Sequence, residues 1–340
     1  MSHQIGIVGA SGYGGVELMR LLSAHPEIEV ASVAAHSQAG TRISELFPNL
    51  PGDRVFDPID HDRLAELDLV FFATPHGPAI ELGGALADSG TRVVDLSAGF
   101  RLDPDSFRTW YGEEHPRPDL APAVYGLTEY AREQVADATI VANPGCYVIT
   151  ALLALLPLTG LIEPGSVIVD GKSGTTGAGR AMKDTMHVSH ASNAFTAYSA
   201  PTHRHTGEIE RYLDVHGHAV GPISFTPHLL PVPRGLMITA YADLADGYGA
   251  QEVQTALVEA YADEPYVTVL DPGTFPTTKA VLGANSCHVS AVVDPRTGRV
   301  LVTAVTDNLV KGAAGGALQN ANVMLGLPET MGLPTIGMYP

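Results

Sequence analysis

The stretch "IGIVGASGYGGVELMRLL", residues 5–22, decides how the chain begins. "IGIVG" (5–9) reads as a buried strand, and "GGVELMRLLSAH" (14–25) carries the apolar spacing of a helix. Between them Gly9, Gly12 and Gly15 make a G-x-x-G-x-x-G turn. Glycine at these places permits a tight turn and lets backbone N–H groups approach a pyrophosphate at the helix N-terminus. Strand, glycine turn and helix in that order predict a dinucleotide-binding unit, with Gly9 and Gly12 as candidate contacts. Which nucleotide is bound is decided after the second strand, "IEVASVAA" (28–35). An acidic residue for a ribose 2′-hydroxyl is expected there, about 20 residues past the glycines. The chain reads "VAAHSQAGTR" instead, with no carboxylate and with Ser37 and Arg42 placed to meet a 2′-phosphate. That pattern favours NADP over NAD.

Outward from this unit, "LDLVFFAT" (67–74) and "TRVVDLS" (91–97) read as further strands, with the helix "AIELGGALADSG" (79–90) between them. This alternation predicts an α/β, Rossmann-type, doubly wound parallel sheet over residues 1–145. The texture changes at Cys146. Long alternating runs, "GLMITAYADL" (235–244), "NSCHVSAVVD" (285–294) and "RVLVTAVTD" (299–307), predict a mostly antiparallel sheet. Helices such as "THRHTGEIERYLDVHG" and "AQEVQTALVEAYADE" make this an α+β catalytic and oligomerisation domain over 146–307. The small-residue helix "NLVKGAAGGALQNANVMLG" (308–326) suits close packing, and the segment from about 308 to 340 is expected to fold back onto the first domain.

Composition narrows the partners. A net charge of −18 argues against nucleic acid or an anionic membrane, so an anionic substrate must be gripped by local Arg or Lys. Two cysteines make no disulfide framework, and no run reaches about 18 apolar residues, which predicts a cytoplasmic protein.

Of the two, Cys146 stands in "VANPGCYVITALLALL" (141–156), directly after Pro-Gly at the mouth of an apolar helix. A free thiol titrates near about 8.5, and a helix N-terminus or a nearby cation lowers that value. Cys146 is therefore the candidate nucleophile, whereas Cys287, inside an alternating strand, reads as a core residue. In "THRHTGE" (202–208) two histidines bracket an arginine at a helix start. Metal binding would need a third ligand that is not evident, so no metal is expected. Proton transfer by a histidine with Arg204 holding an anion suits thiol chemistry. "DGKSGTTGAGR" (170–180) fails the phosphate-loop pattern because Ser166 stands where a glycine is required, yet it suits a loop over a cofactor or phosphate, ending in Arg180. Arg101 and Arg234, each beside a strand, complete the candidate anion holders.

With these segments assembled, the sequence resembles the N-acetyl-γ-glutamyl-phosphate reductases, the arginine-biosynthetic branch of the phosphorylating semialdehyde dehydrogenases. The resemblance rests on "GASGYGG", "PHG" (75–77), "DLSAGFRL", "NPGCY", "KSGTTGAGR", "HRHTGEIE", "FTPHLLPVPRG", "DNLVKGAAGGALQNAN" and "GLPETMGL". It implies that Cys146 attacks an acyl phosphate, that a thioester is reduced by NADPH, and that His203 is the acid–base residue. It further implies substrate binding by Arg101, Arg204, His205, Arg180 and Asn143. On the cofactor side it implies the segment Ser11, Gly12, Tyr13 and Gly14 along the pyrophosphate, with Ser173, Gly174 and Asn308, and it implies a homodimer or homotetramer. The chain departs from the family's pattern at Val148 and Ile149, where Cys-Tyr-Pro-Thr is usual, at Gly99 for Asp in "DLSADFR", and at Gly207 for Pro in "HRHTPE". Rival readings are a sister reductase acting on an aminoadipyl or aspartyl phosphate, a cysteine hydrolase, and a non-catalytic NADP-binding sensor.

Overall fold

The computed structural model describes residues 2–339, apart from the side chain of Thr185. Two compact units divide the chain: residues 1–145 with 313–333, and residues 146–312 with 334–340.

In the first unit, β1 (His3–Val8), β2 (Ile28–Ala34), β3 (Leu69–Phe72), β4 (Arg92–Asp95), β5 (Val124–Tyr125) and β6 (Ile140–Ala142) form one sheet in the order β2-β1-β3-β4-β6-β5. Every pairing in it is parallel. Parallel strands are covered on both faces, which is why β3 reads as the unbroken run Leu-Val-Phe-Phe with all four residues buried. The helix after β1 spans Tyr13–Leu22. The turn between them requires glycine. Gly9 has φ +85°, and a Cβ there would stand 2.5 Å from the Ala73 carbonyl oxygen; one at Gly15 would stand 2.5 Å from the Ala10 Cα. The expected helix 79–90 is interrupted, since Ala79–Gly83 is a π turn before the α-helix Gly84–Asp88.

The helix Gly315–Met324 belongs to this unit and packs on the helix Thr128–Asp137. Asn320 fixes it there: its Nδ2 donates to the Gly126 carbonyl (2.9 Å) and to Asn143 Oδ1 (3.2 Å), and its Oδ1 accepts from Thr128 Oγ1 (2.8 Å).

The second unit holds β7 (Ile168–Gly174), β8 (Thr196–Ala197), β9 (Ser224–Leu230), β10 (Leu236–Asp243), β11 (Val267–Val269), β12 (Cys287–Val293) and β13 (Arg299–Thr306). Their order is β11-β12-β13-β10-β7-β9-β8. Four pairings are antiparallel, as the alternating runs predict, and β7–β9 and β11–β12 are parallel. Along β10, Leu236, Ile238, Ala240 and Ala242 face inward and are buried, and the helix Cys146–Leu155 lies against this strand and β13. That helix is apolar all round because the helix His205–His216 packs beside it in turn. The opposite face carries a row of directly opposed residues, Ser224, Ile168, Tyr241, Leu301 and Val292. None of the five is fully buried, and Ile168 is 40% exposed.

Candidate active site

Cys146 is the first residue of the helix Cys146–Leu155 and is partly exposed, whereas Cys287 is fully buried; both are thiols. Thr150 stitches the first turn: its hydroxyl donates to the Cys146 carbonyl (2.9 Å) and bonds Thr306 Oγ1 (2.8 Å). Val148 and Ile149, where the family's pattern has Pro-Thr, are buried, and the helix still opens on the cysteine. The next residue, Tyr147, is buried and its hydroxyl donates to the His228 carbonyl (2.7 Å).

The rings gather around His203. Tyr147 (6.0 Å between centroids), Tyr198 (5.6 Å), His205 (4.7 Å) and Phe225 (5.5 Å) all meet it edge-on. This apolar cage, with the Arg204 guanidinium next in strength, lowers the His203 pKa to about 4, so the ring is neutral at pH 7. Its Nδ1 accepts from the His205 backbone N–H (3.2 Å), which assigns the single proton of the neutral ring to Nε2. His203 is thereby a preset hydrogen-bond donor at Nε2. Burial first, then the neighbouring phenol and the Cys146 charge, push the Tyr147 hydroxyl far up; burial and Cys146 also raise that of Tyr198. Both phenols stay protonated beside the thiol.

Ser173, Gly174 and Asn308 meet in the same unit. The Asn308 amide donates to Thr176 Oγ1 (2.9 Å) and accepts from the Gly235 N–H (2.8 Å), while Gly174 N–H donates to the Gly235 carbonyl (2.9 Å). A Cβ on Gly177 would stand 2.9 Å from Ser173 Oγ and 3.8 Å from Asn308 Nδ2. Arg204 and Arg180 are exposed, and Arg234 Nη1 lies 3.3 Å from the buried Asp307 carboxylate.

In the first unit, Gly12 is the N-cap of the helix Tyr13–Leu22 and has no side chain to cap the first-turn N–H groups. The close approaches of Gly9 and Gly15 keep the turn bare, and such a cradle fits a dinucleotide's pyrophosphate. Ser37 is exposed, and Arg42 Nη1 bonds the exposed Asp53 at 2.8 Å. Arg101 is buried, donates to the Leu96 carbonyl (2.9 Å) and stands beside the buried Asp95. The Asn143 amide donates to its own unit's Pro144 and Ala313 carbonyls at 3.3 and 3.4 Å. At Gly99 a Cβ would meet Ile80 Cγ1 at 2.8 Å and Asp95 Oδ2 at 3.2 Å, so the packing here is shaped to glycine. Gly207 lies in the buried first turn of the helix His205–His216.

Sequence reasoning passed over Tyr147, Tyr198, Phe225 and Asp307. Tyr147 was signalled only by adjacency to Cys146, and Asp307 by adjacency to Asn308. Tyr198, in a polar loop, carried no signal.

A glycine-turn dinucleotide sheet in one unit, and in the other a thiol on a helix's first turn together with a neutral histidine, are features of an oxidoreductase. Two family models match: "Semialdehyde dehydrogenase, NAD binding domain" over residues 4–138, and "Semialdehyde dehydrogenase, dimerisation domain" over residues 146–308. The chain belongs to the semialdehyde dehydrogenase family, with an NAD(P)-binding domain followed by the family's dimerisation domain. More particularly, it is similar to proteins named N-acetyl-gamma-glutamyl-phosphate reductase. It is 45% identical to that of Brevibacillus brevis and 46% identical to that of Marinobacter nauticus, with 99% of both chains covered in each case. Among solved structures it is similar to aspartate semialdehyde dehydrogenase II of Vibrio cholerae complexed with ASA (TM-score 0.73, 16% identity, 96% of this chain and 99% of that one). It is also similar to the aspartate semialdehyde dehydrogenase of Candida albicans with NADP (TM-score 0.68, 16% identity, 96% and 99%). At those identities the likeness establishes the fold.

Proposed function

We propose that this chain reduces N-acetyl-γ-glutamyl phosphate to N-acetylglutamate semialdehyde and phosphate with NADPH, through a thioester on Cys146. Full-length relatives of that name at 45–46% identity support the substrate. The observation that carries the chemistry is the Cys146 thiol on the first turn of a buried helix, in the same unit as a histidine whose proton is set on Nε2.

The Cys146 sulfur, reacting as its thiolate, bonds to the acyl carbon as the carbon–oxygen bond to phosphate breaks, and phosphate leaves with the electron pair. His203 Nε2–H donates to the acyl oxygen as negative charge gathers on it. NADPH, when bound, supplies the hydride that reduces the thioester carbon. His203 then holds the resulting alkoxide oxygen until the carbon–sulfur bond breaks and Cys146 departs as thiolate with the aldehyde free. The surrounding rings exclude water that would hydrolyse the thioester. Arg101, Arg204, Arg180, His205 and Asn143 are the proposed substrate contacts. Gly9, Ser11, Gly12, Tyr13, Gly14, Ser37, Ser173, Gly174 and Asn308 are those for the cofactor.

The absence of a carboxylate after β2, together with Ser37 and Arg42, supports NADP rather than NAD. Roles divide as residues 1–145, with about 308–340, for the cofactor and 146–307 for catalysis and association. A second copy of the chain is proposed to cover the face of Ile168, Tyr241 and Leu301, giving a homodimer or a homotetramer built from it. Among the described residues no helix is long and apolar enough to cross a membrane. Two thiols without a disulfide suit a reducing cytoplasm.

The test is NADP reduction with N-acetylglutamate semialdehyde and phosphate, for wild type and Cys146→Ser side by side. Phosphate-dependent turnover that vanishes in the variant supports the reading. Turnover that survives loss of the thiol overturns the mechanism, and cofactor binding without turnover overturns the substrate.

A further inference from the structure

The mechanism leaves one buried carboxylate unused. Asp307 is fully buried at the end of β13. Its Oδ1 accepts from the backbone N–H groups of Leu309 (2.8 Å) and Val310 (3.2 Å). Its Oδ2 accepts from the Gly283 N–H (2.8 Å) and from Arg234 Nη1 (3.3 Å). Immediately after it the chain makes a π turn, in which the Gly312 N–H donates to the Asp307 carbonyl at 3.0 Å. Such turns are rare and recur at functional sites. This one brings bare backbone against the reactive residue: a Cβ on Gly312 would stand 2.8 Å from the Cys146 Cβ and 3.2 Å from its Cα.

We propose that Asp307 is a positioning residue for the Cys146 thiol, acting through the turn it anchors and the bare backbone of Gly312. The proposal rests on Cys146 being the nucleophile. A cysteine side chain on a helix's first turn has one rotatable bond before its sulfur, and a wall against its Cβ limits which staggered positions the sulfur can take. Gly312 is that wall, and a methyl group there would push the cysteine aside. The wall is only as firm as its anchor. All four partners of Asp307 are donors, so an amide in its place would turn an N–H₂ group against at least one of them. Arg234 belongs to the same anchor, and the Asn308 bond to the Gly235 N–H ties the two segments together a second time.

The test uses the full-length protein with Gly312→Ala, Asp307→Asn, Arg234→Met and Arg234→Lys. Two readouts are taken: the pH profile of Cys146 alkylation by iodoacetamide, followed on its own peptide, and kcat and KM separately. Iodoacetamide is neutral, so any anion-holding by Arg234 does not enter the first readout. The expected result for Gly312→Ala and Asp307→Asn is a displaced alkylation profile. With it kcat falls by about 100-fold, the cost of misplacing a reacting atom by about 1 Å, and KM stays within about threefold. Arg234→Met should move both readouts the same way by about tenfold, and Arg234→Lys, which keeps the charge, should restore them. Because Arg234 is partly exposed, this pair is expected to fold where the core variants do not. Wild-type alkylation and kcat in Gly312→Ala, or identical behaviour of the two Arg234 variants, overturns the proposal. Turnover that persists in Cys146→Ser is a different failure, that of the nucleophile reading itself.

Discussion

Replacing Tyr198 with alanine tests the electrostatics on which the mechanism depends. The His203 pKa is held at about 4 against an ordinary 6.5. At about 1.4 kcal/mol for each pKa unit, that difference is about 3 kcal/mol in favour of the neutral ring. Four rings share the shielding, and Tyr198 is 37% exposed, so its loss opens the cage without emptying the core. Removing one ring of four should return about 1 kcal/mol, a little under one pKa unit. Protonation at Nδ1 would set an N–H against the His205 N–H and break the arrangement, so activity follows the neutral form. At pH 5 an ordinary histidine is about 97% protonated, whereas one at about 4 is about 9% protonated. Wild-type kcat/KM should therefore hold nearly full value at pH 5, and Tyr198→Ala should lose about a third. The same shift enters stability. The folded pKa lies below the unfolded one, so there is no penalty above pH 6.5, and the fold weakens as pH falls from 6.5 through 4 by up to about 3 kcal/mol. The variant should soften that decline. The assay is the pH dependence of kcat/KM, paired with titration of the His203 ring resonance assigned through His203→Gln. A wild-type acidic limb near 6.5, or a limb and resonance unmoved by Tyr198→Ala, refutes the reasoning.

Three further outcomes are expected. Gly9→Ala, which puts a methyl at φ +85° and 2.5 Å from the Ala73 oxygen, should destabilise the first unit by more than about 1 kcal/mol and weaken NADPH binding, read by thermal melting and fluorescence titration. Arg42→Gln should lower kcat/KM for NADPH by about tenfold to 100-fold while leaving NADH unchanged, since a charge-assisted bond to phosphate is worth about 1.5–3 kcal/mol; equal loss with both cofactors would remove Arg42 from the 2′-phosphate. Ile168→Asp, on the face away from the helices, should lower the mass measured by light scattering; an unchanged mass places the interface elsewhere.

What was legible in the sequence was local. The glycine turn at 9–15 announces itself because each requirement falls within a few residues of the others. Cys146 does so because Pro-Gly and an apolar helix flank it. The alternating runs at 235–244 and 299–307 become β10 and β13 since a two-residue period needs no distant information. The rest depended on pairings across long separations. Arg234 reads as an anion holder until Asp307, 73 positions away, is found against it. The cage of His203 joins residues from positions 147, 198, 205 and 225, and no periodicity links them. The parallel pairing of β7 with β9 was likewise invisible, because register between separated strands is settled by packing.

The first unit is written in two pieces, 1–145 and 313–333, with all of residues 146–312 between them. A ribosome makes these pieces far apart in time. At about 5–20 residues per second, the helix Gly315–Met324 emerges on the order of ten seconds or more after β6. Until then the Gly126 carbonyl and the Asn143 and Thr128 side chains lack the Asn320 amide that completes them. The order of synthesis therefore leaves the sheet complete in strands but short of its last helix. The N-terminal strands are born first and must wait, and the second unit waits too, since its residues 334–340 are made last of all. A fragment ending at residue 145 would be a permanent version of that waiting state, with buried polar groups exposed to whatever chain or chaperone meets them first.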